Sequence, residues 1–203
     1  AGTNAITVNW TTAGSHTIQM QTTSFNCGTR ITTYPITVSP LPTVNFSYAN
    51  NCAGQPVQFT DNSIIASGTN TGWNWSFGDG NTSTLQNPVH TYAIGGTYNV
   101  LLTVTSDQNC TANHTISVPV TIPPTADAGL PADAFCASGT YTLAAATSTN
   151  SPSRLWTTSG TGTFNNNSSL NPVYTPSAAD IGAGTVTLTL TADGNVPCGT
   201  ATD

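Results

Sequence analysis

Three stretches of this chain share one pattern: a glycine, then residues alternating between polar and apolar or Thr, then a cysteine. They are GSHTIQMQTTSFNC (Gly14–Cys27), GTYNVLLTVTSDQNC (Gly96–Cys110) and GTVTLTLTADGNVPC (Gly184–Cys198). Alternation at period two marks a strand with one buried face, because successive side chains point to opposite sides. The three closing cysteines are 83 and 88 residues apart. A second class of cysteine opens NNCAGQPVQFT and AFCASGTYTLA, with Cys52 and Cys136 separated by 84 residues. LQNPVHTY (Leu85–Tyr92) is echoed by LNPVYTP (Leu170–Pro176), with Asn-Pro-Val in common. Internal repetition constrains architecture more than any local signal. Here its period is that of a small β-sandwich, and an all-β chain of tandem antiparallel sandwiches is expected.

The repeat sets the expected domain scheme. Residues 1–40 match only the second half of a unit, 41–123 form a complete one and 124–203 another. SPLPT (Ser39–Thr43) and IPPT (Ile122–Thr125) follow strand-like runs at both boundaries. Proline cannot continue a ladder and pre-sets an extended conformation, so these are read as short, stiff joints. The scheme also assigns the cysteines: Cys52 with Cys110 and Cys136 with Cys198, each bridging the two ends of its own unit. Closing a loop of about 60 residues stabilises by roughly 4 kcal/mol in the loop-entropy account. Cys27 is left over, either as a free or intermolecular thiol or, as the repeat suggests, with a partner upstream of Ala1. The absence of an initiating Met and of a signal peptide fits a mature segment or a fragment of a longer array.

Charge narrows the function classes. The 203 residues include no Lys and no Glu, two Arg (Arg30 and Arg154) and eight Asp, for a net charge of −6. Soluble helices are usually dressed with Glu, Lys and Arg, so almost no helix is expected. Nucleic acid as a partner is excluded for want of clustered cations. No apolar run reaches the roughly 20 residues of a membrane-spanning helix. The missing lysine rules out Schiff-base chemistry and Lys–Asn isopeptide crosslinks.

The candidate sites divide by chemistry. A nucleophile needs a base in reach and a group to orient it, yet His16, His90 and His114 fall in unrelated contexts. No catalytic residues are assigned, and the chain is read as a non-enzyme without a cofactor. Calcium needs several converging oxygens, and the Asp residues are scattered. The candidates are Asp127 and Asp133 beside the second joint, against the alternative that both are solvated turn residues. In WNWSFGDGN (Trp73–Asn81), Trp73, Trp75 and Phe77 alternate onto one face. Core packing is the main reading for these rings, with Trp73 the one candidate for an exposed platform that stacks on sugars. Gly78-Asp79-Gly80 could be a carboxylate-bearing ligand loop, but it is read as a tight turn that uses glycine's positive φ, because the corresponding SGTGTF (Ser159–Phe164) omits the Asp.

An ordered set of residues carries a family resemblance. VQFTDNS (Val57–Ser63) is followed by Trp75-x-Phe77-Gly78-Asp79-Gly80, by Pro88-x-His90-x-Tyr92, and by Gly96-x-Tyr98-x-Val100-x-Leu102-x-Val104. This run resembles a PKD domain, an immunoglobulin-like β-sandwich, over about 80 residues from Pro42 to Ile122. The third unit is a weaker relative that keeps Trp156 and Asn-Pro-Val but carries SGTGTF in place of the FGDG turn. Its Thr-, Ser- and Asn-rich style is similar to repeats of large Bacteroidota surface proteins, including gliding-motility adhesins exported by the type IX system. The resemblance implies an extracellular or cell-surface role in adhesion, display or filament building. The implied partners are neighbouring repeats, surface polysaccharide or other cells. It also leaves open a spacer or carbohydrate-binding region of a secreted hydrolase, and a self-assembling sheath or fibre subunit.

Overall fold

A computed structural model describes residues 7–24, 28–129 and 139–203. Among them are seventeen strands and one short helix, so the fold is all-β as the alternation requires. The first glycine-led segment is β1 (Gly14–Ser24), which pairs antiparallel with β2 (Gly28–Val38) in unbroken register from Gly14↔Val38 to Ser24↔Gly28. Directly opposed residues share a face, so Ile18 meets Tyr34 and Met20 meets Thr32 on one side of the ribbon. Met20 and Tyr34 remain exposed, and Trp10 packs against His16 with the rings tilted and their centroids 4.4 Å apart.

The next seven strands form a PKD-like β-sandwich. They are β3 (Phe46–Ala49), β4 (Pro56–Asp61), β5 (Asn70–Ser76), β6 (Thr82–Ser83), β7 (Val89–Thr91), β8 (Gly96–Ser106) and β9 (Thr111–Val120). One sheet has the order β3-β4-β7, the other β6-β5-β8-β9. The second glycine-led segment is β8, and its alternation is realised fully: Val100, Leu102 and Val104 are all inaccessible. Val57 and Phe59 on β4 and Trp75 on β5 are equally buried. In the β5–β8 register Trp75 faces Leu102 and Trp73 faces Val104, after an irregularity between Asn70 and Gly72.

The remaining elements are β10 (Thr125–Asp127), β11 (Tyr141–Thr142), β12 (Thr147–Thr149), β13 (Ser153–Thr158), β14 (Thr163–Phe164), β15 (Val173–Thr175), α1 (Ala178–Ala183), β16 (Leu188–Asp193) and β17 (Thr200–Thr202). They make three small sheets, β10-β12, β11-β15-β14 and β13-β16-β17. Leu143, Ala146, Trp156 and Leu190 form a core, against which Phe164 and Leu170 pack. Gly184 does not open a strand as its two sister glycines do. It is the left-handed C-cap of α1 with φ 80°, and the third alternating strand starts only at Leu188. The described residues fall into two compact units, one within 1–47, 60–88 and 100–116, the other within 48–59, 89–99 and 117–203.

The cysteine pairing corrects the expected one. Cys52 is bonded to Cys198, 146 residues away, with Cα atoms 5.3 Å apart, while Cys110 is free. The reason lies in β9. Cys52 bridges Thr121 just past the end of that strand, whereas Cys110 precedes its first residue. Ten strand residues put roughly 30 Å between the two, far beyond the reach of a disulfide. Pairing of Cys52 with Cys110 and of Cys136 with Cys198 is therefore excluded. Cys27 and Cys136 themselves lie outside the described residues. Non-reducing peptide mapping should yield a 52–198 crosslink and none from Cys52 to Cys110. Closure of so long a loop is worth about 5 kcal/mol in the entropy account. C198A should therefore lower the unfolding free energy by about 2–5 kcal/mol in denaturant titrations run without reductant.

Candidate functional site

The WNWSFGDGN stretch places its aromatics as a core strand and its end as a turn. Trp75 is inaccessible, stacks near-parallel to Phe77 at 6.4 Å and meets Phe46 edge-on at 5.0 Å. Its indole N–H donates to the Leu85 carbonyl at 2.9 Å. Phe77, only 2% exposed, donates its amide to the Asn81 carbonyl at 3.1 Å and closes the turn. Gly78 and Gly80 take φ of 83° and 95°, a region that disfavours any residue with a Cβ. Asp79 is exposed, and its two carboxylate oxygens accept from the Asn81 amide and the Asn81 side chain, each at 3.0 Å. That is local Asx-turn chemistry.

Trp73 is half-buried, and its indole N–H donates to Asp61 Oδ2 at 2.7 Å. Asp61 gathers several hydrogen bonds here. It also accepts from the Gln86 side chain at 3.3 Å and the Ser63 amide at 2.9 Å, and its own amide donates to Asn87 Oδ1. Its place in the VQFTDNS run is the available sequence signal, but nothing local says which donors converge on it. In the Pro88-x-His90-x-Tyr92 motif, Pro88 is buried and His90 packs edge-on against inaccessible Tyr92 at 4.6 Å. Tyr92 stacks on Tyr98 at 4.1 Å, and the Tyr98 hydroxyl donates to the Ile94 carbonyl at 2.8 Å. Gly96 starts β8 beside them. The motif residues hold a fold together.

A second polar centre lies at α1. Asp180 is buried, and its Oδ2 accepts from the Tyr174 hydroxyl at 2.7 Å, the Gly162 amide at 2.7 Å and the Ser177 amide at 3.0 Å. Its Oδ1 accepts from the Thr161 amide at 2.8 Å, and the Ser177 hydroxyl caps the helix by accepting from the Asp180 amide. The backbone amides, that of Ser177 foremost and then that of Thr161, hold the carboxyl well below the usual carboxylate range. Burial pushes the Tyr174 hydroxyl up from its ordinary value. Ser177-x-x-Asp180 is a readable capping signature, but the lack of helix-dressing residues argues against any helix.

Among the described residues no three His, Cys, Asp or Glu side chains gather as metal ligands would. Asp127 accepts from the Gly129 amide at 2.9 Å, a turn contact, and Asp133 lies outside the described residues. A cleft of about 550 Å³ is lined by Asn50, Gln55, Pro123, Pro124, Pro197 and Thr200, without a charged side chain. No described helix is long and apolar enough to cross a membrane.

Residues 37–122 match the PKD domain family, the same stretch that carries the ordered motif residues. The chain is 42% identical over 69 residues to Collagenase ColQ1 of Bacillus cereus (strain Q1), which is 33% of this chain and 7% of that protein. It is 39% identical over 66 residues to a microbial collagenase of Vibrio alginolyticus, 32% of this chain and 8% of that one. It therefore spans less than a tenth of either collagenase. The crystal structure of the PKD1 domain of Vibrio anguillarum Epp is 31% identical, with a TM-score of 0.38, over 41% of this chain and 96% of that domain.

Core and turn should separate cleanly on mutation. W75A should cost about 3–5 kcal/mol, and D79A about 1 kcal/mol or less, the worth of an exposed turn bond, in chemical denaturation. A Cβ at Gly162 would lie 2.5 Å from the Thr175 carbonyl oxygen and against the Tyr174 hydroxyl, so G162A should cost about 1–3 kcal/mol. Because Asp180 is depressed in the folded state, its stabilisation is complete above the ordinary carboxylate range near pH 4. It fades as pH falls below that range towards the depressed folded-state value. Thermal unfolding midpoints should drop over that interval, and D180N should be less stable at neutral pH with a shallower acid dependence.

Proposed function

We propose that this chain is a non-catalytic segment of an extracellular protein, a stiff stalk of sandwich repeats in a cell-surface adhesin or filament. The observation that carries the reading is the fate of the motif residues. Trp75, Phe77, Gly78, Asp79, Gly80, Pro88, Tyr92 and Tyr98 are engaged in core packing and turns, and the carboxylates of the two centres are saturated by internal donors. The repeat supports it too. Trp156 donates to the Leu170 carbonyl at 3.3 Å as Trp75 does to that of Leu85, and both leucines precede the shared Asn-Pro-Val. On this reading 41–123 and 124–203 are successive repeats, 1–40 is the second half of a preceding one, and prolines join them. The role calls for no cofactor, and the scarcity of Lys and Arg leaves few tryptic sites in a long-lived surface structure. Neighbouring repeats, surface polysaccharide or other cells are its partners.

The collagenase likenesses favour a second reading, an accessory spacer of a secreted hydrolase. Electron microscopy of the native parent protein separates the two. Beaded rods of many similar units are expected, and one or two beads beside a larger globular body would replace the stalk reading with the hydrolase one. A pelleting assay on fibrillar collagen adds a second discriminator, since the stalk reading expects the segment to stay in the supernatant.

A further inference from the structure

We infer that the Cys52–Cys198 bond routes tension past residues 53–197, so that Trp75, Trp156 and most of the residues packed around them, Phe46 excepted, lie outside the covalent load path. Pulling on the two ends of a chain loads only the shortest covalent connection between them. Here that connection runs through residues 1–52, across the sulfur bridge, and out through 198–203. The strands β4 to β16 lie inside the closed loop, which spans a sequence separation of 146 residues. The anchor at Cys52 is reinforced locally. The Ala53 amide donates to the Thr121 carbonyl and the Thr121 amide to the Asn51 carbonyl, each at 2.8 Å, and the Asn51 side chain donates to the Pro119 carbonyl. At the other anchor the Cys198 amide donates to the Asn195 carbonyl at 2.8 Å and the Gly194 amide to the Gly199 carbonyl at 2.9 Å.

The bridge is also protected. Cys52 is 4% and Cys198 6% exposed, so an attacking thiolate needs the surrounding loops to open before it can reach either sulfur. A dithiol reductant then forms a mixed disulfide with one cysteine and displaces the other as a thiolate, which takes up a proton. The reductant's second thiol closes its own ring and frees the first cysteine. The protein gains two electrons and two protons, and the reductant becomes its cyclic disulfide. What is released is length: fully extended, the loop adds roughly 500 Å to the tether. The device is the same whatever the parent protein is, so it does not rest on the stalk reading.

Single-molecule pulling on the whole segment, held at its two termini, tests this directly. The oxidised chain should never release the length of the loop, while dithiothreitol in the bath should produce one added extension of roughly 500 Å. The double variant C52A/C198A should show that length without reductant. Release of the full length by the oxidised wild type would overturn the inference, as would a reductant that adds no extension. So would a shorter reductant-dependent gain matching a 52–110 loop. If the double variant does not fold, the wild type with and without reductant decides the matter alone.

Discussion

A tryptophan can be buried whole only if its indole N–H finds a partner, since an unpaired buried donor costs about 1–3 kcal/mol. Both large cores here are organised around that constraint. Trp75 and Trp156 are 0% and 1% exposed, and each donates to a main-chain carbonyl, of Leu85 and of Leu170. For that carbonyl to be in place, the segment carrying it must be fixed against the sheet. The shared asparagine does the fixing. Asn87 accepts the Asp61 amide at 2.9 Å, and Asn171 donates to the Leu143 carbonyl at 2.7 Å. The Asn-Pro-Val that appears twice is thus a consequence of burying an indole, and it explains why a segment of little regular structure is repeated so closely.

The carboxylates show one problem solved in two ways. A tight turn leaves backbone amides pointing inwards or to solvent without ladder partners, and an Asp oxygen is the simplest acceptor. In the FGDG turn the acceptor is local, Asp79 serving Asn81 two residues on. SGTGTF lacks the Asp, and its amides at Thr161 and Gly162 reach Asp180 from α1 instead. Gly160 and Gly162 are required by that docking, because a Cβ at either would meet Asp180 or Tyr174. The short helix among the described strands therefore has a definite structural role, in which its capping box delivers a carboxylate to a turn.

What could be read from the sequence follows the range of each interaction. Period-two alternation is local, and Val100, Leu102, Val104, Phe59 and Trp75 all lie where it puts them. The turn at Gly78-Asp79-Gly80 is local as well. The disulfide is not. Equal spacing of cysteines suggests pairing within a unit, but the ten residues of β9 carry Cys110 to the end of a strand opposite the end that Cys52 bridges. The roles of Asp61 and Asp180 escape for the same reason. Beyond the neighbouring Ser63 and Ser177 amides, their donors, Trp73 and Gln86 for one and Thr161, Gly162 and Tyr174 for the other, are 6 to 25 residues away in sequence. Composition misleads at one point, since an absence of Glu and Lys argues against long solvated helices and not against a six-residue helix held by its caps.

The corrected pairing changes what the proline-rich segment at 122–125 can do. Had Cys52 paired with Cys110 and Cys136 with Cys198, the chain between the two loops, Pro123 and Pro124 included, would have lain in the load path. With the bond from Cys52 to Cys198, Pro123 and Pro124 lie inside the closed loop and bear no covalent tension. The tether along the chain runs through the Cys52–Cys198 bridge and the segments outside it, and most of what packs around Trp75 and Trp156 lies within the closed loop. Resistance to stretching and resistance to unfolding are thereby assigned to different parts of the same chain, and a mutation that weakens one core leaves the covalent tether intact.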